Sequence, residues 1–295
     1  MSDPLPPPTT VRVRALLPQL APAERRVAER VLADPAAAAA STISELAAAC
    51  ETSETTVLRF CRAVGFTGYP ALRLALAGES GRGEGAAAPE LTGDIGPDDD
   101  LDKVVAKIAF ADARAVEETA QLLDLDALHG VIDALVAARR VDVYGVGASG
   151  FVAMDLQSKL HRVGRVAFAS SDPHVALTSA ALLAAGDVAV GISHSGATRD
   201  TVDALALARR NGATTVAVTN HPRSPLAQLA DHVLATAARE TTFRSGATAS
   251  RLAQLTVVDC VFVGVAQRTY AETQRALELT HDAVVGRRLD ERSGR

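Results

Sequence analysis

Residues 143–150 read VYGVGASG, an apolar run that leads directly into a glycine-rich loop. Gly145, Gly147 and Gly150 have the spacing G-x-G-x-x-G, which is typical of a dinucleotide-binding turn between a strand and a helix. A loop of this kind also binds single phosphate groups, because the backbone N–H groups at a helix N-terminus attract anions. The glycines alone therefore leave both ligands open.

Short apolar runs alternate with helical stretches on both sides of this loop. Strands that alternate with helices predict βαβ units and a parallel sheet. We therefore expect residues 139–280 to form an α/β domain with a five-stranded, mostly parallel sheet flanked by helices. The predicted strands are VDVYGV, RVAFAS, DVAVGIS, TTVAVTN and, at the edge, HVLATA.

Residues 187–201, DVAVGISHSGATRDT, again run from a strand through a polar loop into a helix. Hydroxyls and backbone N–H groups at a helix N-terminus suit a sugar phosphate. NAD remains the alternative, since Asp172 could hold its ribose, but this second loop would then have no role. A plain strand-to-helix turn is the other alternative. The loop residues that carry the phosphosugar prediction are Ser193, His194, Ser195, Gly196 and Thr198, together with Gly147 and Ser149 of the first loop.

The N-terminal segment STISELAAACETSETTVLRFCRAV, residues 41–64, predicts two helices joined by a short turn. Thr42 and Glu45 form a capping box, and Ser53 can cap the second helix. This spacing is typical of a helix-turn-helix over residues 43–62, with a plain helical hairpin as the alternative. Glu51 stands where such turns often place glycine, which costs ~1 kcal/mol, so we expect a differently bent turn. The predicted shared core is Leu46, Ala47, Val57, Phe60 and Cys61.

Polar residues at the start of the second helix are predicted to face outward and to contact DNA. Hydroxyls suit phosphates and base edges, and arginine suits phosphate or guanine. The whole chain carries a net charge of −5, so any contact with nucleic acid must be local. The predicted DNA-binding residues are Ser53, Thr55, Thr56, Arg59 and Arg62.

The composition of the 295 residues, together with their glycine- and proline-rich stretches, predicts the domain organisation. Three cysteines without metal-ligand spacing fit a reducing cytoplasm, and neither a signal peptide nor a membrane span is expected. We expect no metal, no cofactor and no catalytic residue. The predicted segments are a disordered tail over 1–10, a helical domain over 11–77, a linker over 78–100, linking helices over 101–138, the sheet domain over 139–280, and a helix end with tail over 281–295.

Several motifs together resemble the RpiR/MurR-type transcriptional regulators of bacteria, which join a helix-turn-helix to a sugar isomerase (SIS) domain. In the N-terminal part the resemblance rests on ISELAAAC, SETTVLRFCRAVGF and GYPALRLALA. In the C-terminal part it rests on GVGASG, SSDPHVALT, ISHSG and ETTFRSGATASRLAQLTVVDCVF. Nearly the whole chain after the first ten residues is covered.

The resemblance implies a regulator of carbohydrate-metabolism genes. Its SIS domain would sense a phosphorylated sugar or amino sugar, and its helical domain would bind a two-fold symmetric operator as a homodimer or homotetramer. Glu240 stands where the family carries a glutamate before F-R-S, which implies a contact with a sugar hydroxyl. A sugar-phosphate isomerase or etherase is the alternative, although an attached helix-turn-helix favours the sensor.

Overall fold

A computed structural model of the chain describes residues 8–80, 94–240 and 249–285. The predicted tails and the predicted linker therefore lie partly outside the described residues. The structure divides into two compact units. The head unit comprises Met1–Leu123, Thr219–Ser224 and Ala235–Ala253, and the sheet unit comprises Asp124–Val218, Pro225–Leu234 and Gln254–Arg295.

The head unit begins with a domain that is helical throughout its described residues, as predicted. Its apolar core contains all five residues expected to lie between the two central helices. A short 3₁₀ turn follows the first helix. The helices are α1 (Thr9–Leu16), α2 (Pro22–Ala33), α3 (Pro35–Ala40), α4 (Ile43–Ala49), α5 (Glu54–Ala63), α6 (Tyr69–Ser80) and α7 (Leu101–Leu122).

Helices α4 and α5 form the predicted helix-turn-helix, and both of their N-termini are capped as expected. Thr42 and Glu45 satisfy each other's backbone N–H groups in a capping box. The Ser53 hydroxyl accepts a hydrogen bond from the Thr56 N–H at 3.3 Å. Because these caps satisfy N–H groups that a helix leaves open, they fix where each helix begins.

The turn between α4 and α5 keeps its ordinary form despite the missing glycine. Glu51 adopts the left-handed conformation itself, with φ of 48°, so the expectation of a differently bent turn is wrong. The Arg26 guanidinium on α2 donates hydrogen bonds to the carbonyl oxygens of Cys50 and Glu51, both at 3.0 Å. These contacts help to hold a conformation that costs a side-chain-bearing residue ~1 kcal/mol.

Helix α7 is anchored to two other parts of the head unit through neighbouring residues. Glu118 is buried and forms an ion pair with Arg14 of α1. The hydroxyl of Thr119 donates to the Ala237 carbonyl and accepts from the Ala237 N–H, the latter at 2.9 Å. Helix α7, predicted only as a linking helix, therefore packs against α1 of the helical domain.

The sheet unit contains the predicted α/β fold, and every predicted strand is present. Strand order is β2-β1-β3-β4-β5, with parallel pairing. The strands are β1 (Val141–Gly145), β2 (Ala167–Ser170), β3 (Val188–Ile192), β4 (Thr214–Thr219) and β5 (His232–Ala235), the last at the predicted edge. The helices are α8 (Leu125–Ala137), α9 (Ala148–Arg162), α10 (Pro173–Ala180), α11 (Arg199–Arg210), α12 (Pro225–Gln228), α13 (Ser250–Arg268) and α14 (Tyr270–Val285).

Candidate functional site

The two predicted ligand loops leave neighbouring strands at the same edge of the sheet. Strands β1 and β3 are hydrogen-bonded in parallel, and Gly145 is paired with Ile192 at their ends. Gly147 and Gly196 both have φ of 60°, a conformation that side-chain-bearing residues rarely adopt. The order 2-1-3-4-5 makes the gap between β1 and β3 a topological switch point, where ligands bind in open α/β sheets.

The loop after β3 brings its three hydroxyls together as the sequence predicts. Ser193 Oγ lies 3.0 Å from Thr198 Oγ1 and 3.5 Å from Ser195 Oγ. It also accepts the Gly196 N–H at 3.1 Å. No side chain in the described part of the chain caps the N-terminus of α11 at Thr198. Hydroxyl donors beside an uncapped helix N-terminus form an uncharged anion-binding arrangement.

The loop after β1 places Ser149 in the first turn of α9, where it is buried. Its hydroxyl donates a hydrogen bond of 3.2 Å to Oε1 of Gln254 on α13. Gly147 precedes α9 and supplies no side-chain cap. Ser149 is therefore fixed by a contact with a residue that lies 105 positions later in the chain.

The remaining predicted ligand residues take different positions. His194 is half-buried between the two serines of its loop. Glu240 is half-buried in the head unit, where its Oε1 accepts the Ser250 N–H at 2.9 Å at the start of α13. Asp172, which was the candidate to hold the ribose of NAD, accepts the Val175 N–H at 2.9 Å and caps α10. That contact gives Asp172 a structural role.

The predicted DNA-binding face is exposed at four of its five positions. Ser53, Thr55, Arg59 and Arg62 are exposed on α5 or its cap. Arg59 is also tied to α2, because its Nε and Nη2 lie 3.0 and 2.8 Å from Oε1 of Glu24. The Glu24 carboxylate therefore orients one of the two arginines.

Thr56 was predicted to face outward with the other four residues, but the structure places it differently. It is only 9% exposed, and its hydroxyl lies 3.1 Å from that of Ser53. Its position one turn before Phe60, which is fully buried, turns its side chain toward the core. Thr56 therefore belongs to the inner side of α5 and not to the outward face.

Three residues at these sites were missed by the sequence analysis. Glu24 and Arg26 act through contacts between helices that local patterns do not show. Gln254 had a signal that could have found it: a single amide inside the apolar stretch LAQLTVV, within a motif that carries the resemblance.

The described ranges contain no cluster of histidine, cysteine and acidic residues that could hold a metal ion. Nor do those ranges contain a helix with the length and apolar character needed to cross a bilayer.

Comparison with known proteins agrees with both units. The helix-turn-helix domain of the rpiR family matches residues 10–82, and the SIS domain matches residues 134–264. An HTH-type transcriptional regulator of Caldanaerobacter subterraneus is 39% identical over 94% of this chain and 97% of its own length. The HTH-type transcriptional regulator RpiR of Escherichia coli is 34% identical over 83% of this chain and 81% of its own length.

A solved structure is similar over almost the whole chain. The NanR protein of Vibrio vulnificus, complexed with ManNAc-6P, superposes with a TM-score of 0.60 and 29% identity, over 96% of this chain and 100% of that one. Together with the fold and the two loops, these matches show that the chain belongs to the RpiR family of HTH-type transcriptional regulators with a SIS domain.

Proposed function

We propose that this regulator binds a phosphorylated sugar or amino sugar at its SIS domain and thereby changes its affinity for an operator of carbohydrate-metabolism genes in the cytoplasm. The observation that carries the proposal is the hydroxyl cluster of Ser193, Ser195 and Thr198 at the uncapped N-terminus of α11. Phosphate oxygens accept hydrogen bonds only, and this cluster offers donors without charge.

The comparison with NanR supports the ligand class, because that relative is complexed with ManNAc-6P. The predicted ligand residues of this chain carry hydroxyl, imidazole and carboxylate groups but no permanent positive charge. Binding would therefore depend on oriented N–H and O–H dipoles, which fix the position of a phosphate more strictly than a flexible lysine does. Glu240 remains a predicted contact for a sugar hydroxyl.

On the DNA side, we propose that α5 contacts the operator through Ser53, Thr55, Arg59 and Arg62. A single helix-turn-helix makes few contacts, so specific binding needs two copies and a two-fold symmetric operator. We expect a homodimer or homotetramer. A monomer in light scattering at micromolar concentration would contradict this part of the proposal.

The ligand proposal is tested by changing Ser193 and Ser195 to alanine together. Each lost hydrogen bond to a charged group is worth about 1.5–3 kcal/mol, so the double variant should lose phosphosugar affinity by orders of magnitude. Thermal shift with ribose 5-phosphate, glucose 6-phosphate and ManNAc-6P measures this. Ser158→Ala, an exposed position on α9, is the matched control and should respond like the wild type.

The same samples separate the sensor from its alternatives. A wild type that is stabilised by NAD and by none of the phosphosugars would refute the ligand class. Conversion of a bound phosphosugar into its isomer, or cleavage of a sugar ether, would instead support the enzyme.

A further inference from the structure

An acidic side chain, Glu54, lies on the helix that is proposed to contact DNA. It is the first residue of α5, between Ser53 and Thr55, and it is exposed. Glu54 precedes Leu58 by four positions and Arg62 by eight, so the three side chains share one row along the helix. Leu58 is half-buried and Arg62 is exposed. Glu54 therefore belongs to the outward side of α5.

A hydrogen bond from the other helix of the helix-turn-helix holds this carboxylate. The hydroxyl of Ser44, which is exposed in the first turn of α4, donates to Oε1 of Glu54. The second oxygen, Oε2, accepts no hydrogen bond from the residues that the structure describes. An ionised carboxylate accepts at both of its oxygens. The side chain of Glu54 is thus fixed through one oxygen and able to accept through the other.

No basic residue of α5 offsets the negative charge of Glu54. The positions three and four residues later, where a helix can place a compensating lysine or arginine, are Val57 and Leu58. Arg59 is paired with Glu24 instead. An acid in the first turn suits the helix dipole, which is the structural alternative. At a DNA surface, however, an uncompensated carboxylate is repelled by the phosphates and weakens binding unless it accepts a hydrogen bond from the DNA.

The chemistry of a carboxylate restricts the base that can supply this hydrogen bond. In the major groove guanine presents two acceptors, thymine an acceptor and a methyl group, and adenine an acceptor beside its amino group. Cytosine presents only the donor of its N4 amino group. The N-terminal residues of a recognition helix are those that contact base edges, and Glu54 occupies this end of α5. Cytosine is therefore the base that suits Glu54.

We propose that Glu54 determines operator specificity by accepting a hydrogen bond from the N4 amino group of a cytosine, and that Ser44 holds the carboxylate in position. This inference rests on the proposed binding of the operator by α5 and adds the selection of one base to it. Repulsion by the phosphates disfavours binding wherever the cytosine is absent. Glu54 thus separates the operator from other sequences by the difference between an attractive and a repulsive contact.

The test is a change of base preference in Glu54→Gln. Glutamine keeps an oxygen for the Ser44 hydroxyl, but its amide also donates and suits N6 and N7 of adenine. Selection from a random duplex library should return a C·G pair at one position of each half-site for the wild type. Glu54→Gln should return an A·T pair there. Replacing that C·G pair should weaken binding of the wild type about tenfold or more.

Glu29→Gln is the matched control, because Glu29 is exposed on α2 and the change removes the same charge from the same domain. This variant should select the wild-type site. Ser44→Ala should weaken the discrimination between base pairs without changing the preferred base. Glu54→Ala should bind all four base pairs at that position with similar affinity, at an unchanged melting temperature.

Loss of the cytosine preference in Glu54→Gln, whether to adenine or to no base, supports the inference. Selection of the wild-type site by Glu54→Gln would overturn it and leave Glu54 with the helix dipole alone. An equal loss of affinity for every sequence in Glu54→Ala, with a lower melting temperature, would assign the residue to stability instead. A wild-type site without a preferred cytosine would refute only the role of Glu54, whereas a wild type that selects no sequence would refute operator binding by α5 itself.

Discussion

Replacing Arg59 by alanine should weaken both operator binding and the head unit, whereas replacing Arg62 should weaken only operator binding. Arg59 Nε and Nη2 both contact Oε1 of Glu24, whose side chain is 12% exposed, while that of Arg59 is 59% exposed. Exposed ion pairs contribute ~0–1 kcal/mol, and removal of one partner from a fully buried pair costs ~3–5 kcal/mol. With one partner in water, we expect a loss of about 1–2 kcal/mol for Arg59→Ala.

Arg62 is exposed on the same helix and provides the comparison. Its replacement should change stability by less than about 0.5 kcal/mol. Either arginine, if bidentate to a guanine, contributes about 1–3 kcal/mol to specific binding. Two of the five Arg59 donors are used on Glu24, which leaves three guanidinium N–H groups, enough for two hydrogen bonds to a base edge.

The measurement combines urea unfolding with binding to a duplex that the wild type has selected from a random library. Arg59→Lys keeps the positive charge but loses the planar guanidinium that can donate two parallel hydrogen bonds to a base. This variant should therefore bind random DNA normally and the selected duplex more weakly. Operator binding by Arg59→Ala at wild-type affinity would remove Arg59 from the interface. Equal stability losses for Arg59→Ala and Arg62→Ala would refute the role assigned to Glu24.

Three further changes test other parts of the structure. Glu51→Gly should raise the free energy of unfolding by up to about 1 kcal/mol, because glycine adopts φ of 48° without strain; a less stable variant in urea would contradict the account of the turn. Burial favours a raised pKa for Asp187, but hydrogen bonds from Arg139 and the Ala184 N–H outweigh it and lower the pKa below its usual 3.8. Asp187 therefore stabilises the fold above that pH, and this contribution is lost as the pH falls through the lowered pKa. Between pH 7 and pH 3, the free energy of unfolding of Asp187→Asn should thus fall less than that of the wild type. Glu240→Gln should keep operator binding but lose its response to phosphosugar. By linkage, a tenfold ligand effect on operator affinity, ~1.4 kcal/mol, must be matched by a tenfold operator effect on ligand affinity. An equal phosphosugar response in Glu240→Gln and in the wild type would exclude Glu240 from the switch.

The strands and the helix-turn-helix could be predicted because their signals are local. Each strand is a short apolar run closed by polar or small residues. The start of α4 is set by Thr42 and Glu45, three positions apart. The burial of Thr56 also follows from a local signal, because Thr56 precedes Phe60 by one helical turn, whereas its hydroxyl considered alone predicts an outward polar position.

The contacts that complete the sites could not be read from neighbouring residues. Arg59 and Glu24 are 35 positions apart, and Ser149 and Gln254 are 105 apart. Such pairs depend on how separate helices pack, and a sequence pattern shows each partner only as an ordinary polar residue. Likewise, nothing local distinguishes Arg26, which lies on α2, 24 and 25 positions before the two turn residues that it contacts.

The double contact between Thr119 and Ala237 has a mechanical consequence for the head unit. Ala237 lies three residues before Glu240, and both of its backbone polar groups are bound to one hydroxyl of α7. A displacement of the Ala237 backbone must either break both hydrogen bonds or move α7 as well. Glu118, which directly precedes Thr119, forms an ion pair with Arg14 of α1. A movement of α7 would therefore also be transmitted to α1, the first helix of the head unit. The backbone near Glu240 is thus connected to α1 through side chains of α7.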